Sequence, residues 1–200
     1  MTGISRARRG AASGFGGVAA LLMAACGGRS ASPSRVDPNA PRLVPSSAAI
    51  VLETSGPPPS DTTVEFTTGV PRVIVLRHGP PENAVFAEVS FPPTAFRTDS
   101  GRAVTVELRP RPGVYGLDIL SNQPLAQGAS VTFKYARYFL APARAREVFG
   151  SDVLYEKALS VGQLLPSTAQ LGMLPSTRPA PDNLRGPVPA AGTYLVAAAP

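Results

Sequence analysis

From about residue 48 onward, short apolar runs alternate with polar and turn-forming residues. The runs are AAIVLE (48–53), TTVEF (62–66), PRVIVLR (71–77), AVFAEVSF (84–91), AVTVEL (103–108), VYGLDI (114–119), SVTFKY (130–135), VLYEKAL (153–159) and GTYLVAA (192–198). In AVTVEL, Val104, Val106 and Leu108 alternate with Thr105 and Glu107; in SVTFKY, Val131, Phe133 and Tyr135 alternate with Thr132 and Lys134. Successive side chains of a strand point to opposite sides, so a period of two directs one face to a core and the other to water. Proline and glycine punctuate the runs at roughly ten-residue intervals, the spacing of a sandwich or barrel. TDSGR (98–102) supplies Asp and Gly for a tight connection between two strands. Only APARAREVFG (141–150) reads as a helix, a short one, with Pro142 near its start and Gly150 at its end. The expected fold is all-β, an antiparallel immunoglobulin-like sandwich.

The start of the chain is patterned differently. Arg6, Arg8 and Arg9 precede an uncharged run from Phe15 to Ala25. A helix needs about 20 apolar residues to cross a bilayer, so this run is too short for a permanent span and matches the core of a signal peptide over residues 1–25. Directly after it stands the only cysteine, Cys26. A secreted chain with one thiol has no internal disulfide partner. The small pair Ala24-Ala25 before Cys26 resembles the bacterial lipobox, with Met23 where that family most often has leucine and Leu22 one place earlier. The resemblance implies that the thiol receives diacylglycerol, that acyl chains such as palmitate follow, and that the signal is cut between Ala25 and Cys26. The implied location is extracytoplasmic and membrane-anchored. Gly27 is not the aspartate that favours inner-membrane retention in such lipoproteins, so the outer membrane is the expected destination where a cell has two. The competing readings are an ordinary secretory signal that contains a cysteine, and a buried core cysteine, against which the flanking glycines argue.

Removing residues 1–25 takes away three of the nineteen basic residues and no acidic one, which leaves sixteen against thirteen, a net +3 rather than +6. The basic character is therefore partly a property of the leader, and it gives little support to a nucleic-acid partner. Residues 26–47, GGRSASPSRVDPNAPRLVPSS after the cysteine, are expected to be a Pro/Ser/Gly-rich tether reaching at most ~60 Å. Residues 48–81 carry additional strands of unassigned membership, and residues 82–200 the sandwich proper. The 175 residues from Cys26 onward suffice for one domain with a core.

Within residues 82–198, SFPPTAFRTDSGRAVTVELRP, YGLDILSNQPLAQGASVTFKY, LYEKALSVGQLLPST and GTYLVAA follow in order. Together they resemble the successive signatures of a ZU-five-type β-sandwich, the module named after zonula occludens and netrin-receptor proteins. The chain lacks the Gly-Gly opening of that family, has Leu164 where a tryptophan is frequent, and has no glycine in FPPTAF. Nothing matches the His-Phe-Ser step of the related self-cleaving modules, so autoproteolysis is not implied.

Candidate chemistry is sparse. The only histidine, His78, lies in the turn-like LRHGPPEN and is expected to be a loop or surface residue rather than a catalytic base, because no G-x-S-x-G elbow accompanies it. One histidine and one lipidated cysteine cannot make a zinc site. Glu88 and Glu107 occupy solvent-facing strand positions. No phosphate-cradling glycine loop follows any strand. FKYARYF (133–139) has the look of a base-stacking strand, yet Phe133 and Tyr135 share a face with Val131 and so belong to the core. Arg97, Arg102, Arg109, Arg111, Arg137, Arg144 and Arg146 are the candidate contacts for anionic envelope polymers or lipid headgroups. The expected function is therefore that of a non-catalytic interaction or structural module of the cell envelope. Its expected partners are the membrane through a lipid anchor and envelope proteins or anionic polymers, with no cofactor and no nucleic acid. The rival reading is a polysaccharide- or small-ligand-binding lipoprotein.

Overall fold

In the computed structural model, which describes residues 41–200, most of the alternating runs are strands. The signal peptide, Cys26 with its cleavage step at Ala25, and the tether as far as residue 40 lie outside the described residues. The chain runs through β1 (Arg42–Pro45), β2 (Ile50–Val51), β3 (Glu53–Thr54), β4 (Thr62–Thr67), β5 (Arg72–Arg77), β6 (Val85–Phe91), β7 (Ala103–Pro110), β8 (Gly116–Ser121) and β9 (Ser130–Lys134). A 3-10 turn (Ala136–Tyr138) leads to β10 (Phe139–Leu140), α1 (Ala143–Phe149) and α2 (Asp152–Ala158). The chain then continues into β11 (Leu159–Leu165), β12 (Gln170–Met173), β13 (Asn183–Pro187) and β14 (Gly192–Ala198).

Two antiparallel sheets face each other. The larger has the order β1-β12-β11-β14-β8-β7-β4, with β2 pairing the end of β14 beyond β8; the smaller has the order β13-β9-β6-β5. A two-stranded ribbon joins β10 to β3. The chain changes sheet between β4 and β5, β6 and β7, β8 and β9, between β9 and β11 by way of β10 and the helices, and on each side of β13. Period two is obeyed: Val104, Val106 and Leu108 of β7, Leu117 and Ile119 of β8, and Tyr194 and Val196 of β14 meet Ile74, Leu76, Ala87, Val89, Val131 and Phe133 of the smaller sheet in one core. Each such aliphatic side chain stabilises the fold by about 1.5–3 kcal/mol through burial. The fold is an all-β sandwich, as the alternation predicts.

Two elements differ from the sequence reading, the reach of the tether and the segment VLYEKAL. The tether does not extend to residue 47: Arg42–Pro45 pair with β12, and Val44 is buried in a second apolar cluster with Ala49, Leu171, Met173 and Ala197. Two flanking prolines disguise this strand, which tolerates Pro45 because it lies at the sheet edge. Residues 48–81, whose membership the sequence leaves open, include β4 and β5, each of which forms an edge of one sheet. VLYEKAL is a helix, not a strand. Ser151 caps it, its hydroxyl accepting from the Leu154 N–H at 3.2 Å, and Tyr155 is its only buried side chain. TDSGR also differs in role. It belongs to the crossing from β6 to β7 and is stitched to the β4–β5 turn, with Thr68 N–H donating to Arg102 O and Gly101 N–H to Thr68 O. Gly101 has φ +87°, which favours glycine.

Tyr194 fixes the return into β14. Its buried hydroxyl donates to the carbonyl of Ala190, four residues upstream, at 2.5 Å. The geometry is that of a tyrosine corner, and desolvation pushes the phenol up to about 12. Tyr194→Phe is expected to cost about 1 kcal/mol, seen as a lower urea midpoint at unchanged slope.

Candidate functional site

His78 follows the last residue of β5 and is 1% exposed, so the expected surface position is corrected. It does lie in a loop, but residues 55–58 fold back over it. Its ring is packed against Tyr138, Phe86 and Tyr115, with centroids 4.6, 5.3 and 6.1 Å away. Nδ1 lies 2.8 Å from the carbonyl oxygen of Pro57. A carbonyl only accepts, so Nδ1 carries the proton and donates, leaving Nε2 bare in the neutral ring. Nε2 is buried without a hydrogen-bond partner among the described residues. Among the described residues no hydroxyl or carboxylate bonds to the ring. The imidazole joins the end of β5 to the segment around Pro57.

The seven candidate arginines are spread over four parts of the fold: the β6–β7 connection, the larger sheet, the 3-10 turn and α1. Arg97 and Arg102 lie exposed in the β6–β7 connection. Arg109 and Arg111 stand on the outer side of the larger sheet, paired with Glu107 at 2.6 Å and Asp118 at 3.0 Å. Arg137 makes a bidentate pair with Glu82, and Arg146 one with Asp152 at 2.7 Å for both bonds. Arg144 donates to the carbonyl of Ser47 at 3.0 Å. Four of the seven thus have a carboxylate partner, and the positive field is weaker than a count of arginines implies. Glu88 also pairs, with Lys134 at 2.6 Å across the outer face of the smaller sheet.

Two of these pairs carry a pH signature. The Arg137 guanidinium hydrogen-bonded to Glu82 holds that carboxyl below its ordinary 4.5, and Arg146 holds Asp152 below its ordinary 3.8. A carboxylate depressed on folding stabilises the folded state above its ordinary pKa, and the benefit is lost as pH falls through the lowered value. Glu82→Gln is accordingly expected to unfold at lower urea than the parent chain near neutral pH. The two midpoints should converge in acid below the ordinary glutamate value, the gap being smaller in high salt.

Shallow depressions mark the outer face of the larger sheet. One of about 180 Å³ is lined by Arg109, Asp118, Leu120 and Thr193, and one of about 210 Å³ by Thr105, Glu107, Leu120 and Asn122. They share Leu120; the first also touches Ile119 and Gly192, and the remaining lining residues are polar. Every described phenylalanine and tyrosine is buried or half-buried, so no aromatic platform faces the solvent. Among the described residues no group of three or more His, Cys, Asp or Glu could hold a metal ion, and no helix is long and apolar enough to cross a membrane.

No family model matches the chain, and neither a curated protein nor a solved structure does.

One polar cluster has no counterpart in the sequence reading. Arg178, from the proline-rich PSTRPAPDN, donates to the Tyr135 hydroxyl and to the carbonyl of Glu156, while Tyr135 donates to the Glu156 carboxylate at 3.2 Å. This bolts α2 to the end of β9. Desolvation raises the Tyr135 phenol. The only advance signal is an arginine amid loop residues, which carries no information about its distant partners.

Proposed function

We propose that the chain is an extracytoplasmic lipoprotein, anchored through Cys26, whose sandwich is a ZU-five-like, non-catalytic interaction or structural module of the cell envelope. The anchor is supported by the lone cysteine behind a signal-peptide core. The observation that carries the recognition half is the surface: a shallow, mostly polar outer face on β7–β8, open sheet edges that include β4 and β5, and no exposed aromatic among the described residues. Sugar-binding faces present aromatic rings to the solvent, whereas open edges and mixed polar faces suit protein contacts. Envelope proteins are therefore preferred over polysaccharide as partners.

Two measurements test the two halves. Intact-mass analysis of the protein purified from its native membrane is expected to show a chain beginning at Cys26 and carrying acyl mass; a chain with a free thiol rejects the anchor. Photo-crosslinking in intact cells from position 120 is expected to trap an envelope protein. Products confined to polysaccharide would reverse the choice of partner.

A further inference from the structure

On the outward surface of the helix pair, three aliphatic side chains stand in water among charged ones, which include Arg144, Arg146, Glu147 and Lys157. Val148 near the end of α1 and Val153 and Leu154 in the first turn of α2 are 44%, 59% and 53% exposed. Each helix carries a cation one turn from its exposed valine: Arg144 lies four residues before Val148, and Lys157 four residues after Val153. Beside Val153 is a depression of about 190 Å³ with Glu156, Lys157, Arg178 and Pro181 around it. The charges of the two helices balance, with Arg146 paired to Asp152 and Glu147 and Glu156 also present, so it is the three aliphatic groups that suit the acyl region of a membrane interface, with Arg144 and Lys157 one turn away within reach of the phosphates.

We infer that the α1–α2 corner docks on the surface of the phospholipid bilayer that holds the anchor, an inference that rests on the lipoprotein reading of Cys26. The connectivity favours that occupant. Arg144 donates to Ser47 O and the Tyr155 hydroxyl to Ile50 O at 3.2 Å, so the helices sit on the segment that opens the described chain. Only residues 27–41 separate Cys26 from β1, and fifteen residues span at most about 50 Å. The patch is therefore held near the membrane at high local concentration, where a few inserted side chains suffice. A second copy fits less well, because three aliphatic side chains fall far short of the roughly 800 Å² per partner of a stable protein interface. The domain then rests on the lipid with the helix corner inward.

The described chain contains no tryptophan, and neither does the rest of the sequence, so a single introduced indole reports its own surroundings. Full-length lipidated Leu154→Trp is reconstituted into phosphatidylethanolamine/phosphatidylglycerol vesicles, with Val73→Trp, at an exposed position on β5, as the comparison. L154W is expected to give blue-shifted emission, quenched severalfold more than V73W by brominated acyl chains. Equal, water-like emission from both in chains that float with the vesicles overturns the docking and leaves the anchor standing. Chains that do not float overturn the anchor and the docking together. A blue shift that ignores brominated lipid and grows with protein density assigns the patch to a second copy and also overturns the inference.

Discussion

Replacing Cys26 with serine is expected to abolish incorporation of an alkyne-bearing fatty-acid analogue and to leave a heavier chain that retains residues 1–25. The chemistry rests on sulfur. A thiol near pKa 8.5 supplies thiolate to a lipid electrophile, and a serine hydroxyl supplies no comparable nucleophile at the same position. If the cut follows lipidation, as the lipobox resemblance implies, the unmodified chain keeps its leader. The energetic stake is large, because each buried methylene contributes about 0.8 kcal/mol, and one myristoyl chain is only marginal where two chains hold firmly. No helix of residues 41–200 can replace such an anchor by crossing the bilayer. The three exposed aliphatic groups of the helix corner add to membrane residence only while the anchor keeps them close. The measurement is in-gel fluorescence of the labelled band alongside intact mass. Undiminished labelling of C26S would place the lipid elsewhere and remove the anchor.

What could be read in advance divides along physical lines. The central strands were legible because each carries its own period-two signal, as in Val104, Val106 and Leu108, and needs no knowledge of its neighbours. Helix α1 was legible from its ends, Pro142 and Gly150. By contrast, β11, β12 and β13 contain Gly162, Gly172 and Gly186, which weaken the local strand signal; a Cβ at Gly162 would meet the Leu171 side chain of the next strand and one at Gly186 the Val161 side chain of the facing sheet, neighbours that only the fold reveals. VLYEKAL misled because its aliphatic residues suggested burial throughout, whereas Val153 and Leu154 are exposed and only Tyr155 and Leu159, which already opens β11, enter the core. His78 misled in the opposite direction. Its flanking glycine and prolines mark a turn correctly, but only the tertiary fold shows residues 55–58 closing over it. The seven arginines were readable as charges, and their carboxylate partners, such as Glu82 for Arg137 across 55 residues, were not.

Gly186→Val is expected to destabilise the sandwich by forcing its two sheets apart. A Cβ at this position would lie 2.6 Å from Cβ of Val161 and 2.9 and 3.0 Å from its two methyl carbons. Val161 is fully buried on β11, and its Cβ is fixed to the backbone, so no rotamer change relieves the contact. The strands themselves must part, which lifts β13 from the larger sheet and opens the core beside Leu184. Overpacking of this kind costs about 1–3 kcal/mol, and the upper end is expected where backbone-borne atoms collide. Valine suits an extended strand otherwise, so the cost measures the close approach of the sheets. The reciprocal change tests that cause: Val161→Gly alone leaves a cavity and is also expected to destabilise, whereas the exchange G186V/V161G moves the same methyl groups across the interface at nearly constant volume. Urea unfolding should give a double variant more stable than the sum of the two losses predicts, by about 1 kcal/mol or more. Strictly additive losses would mean that β13 and β11 do not pack face to face at this point, and the smaller sheet would have to close on the larger one elsewhere.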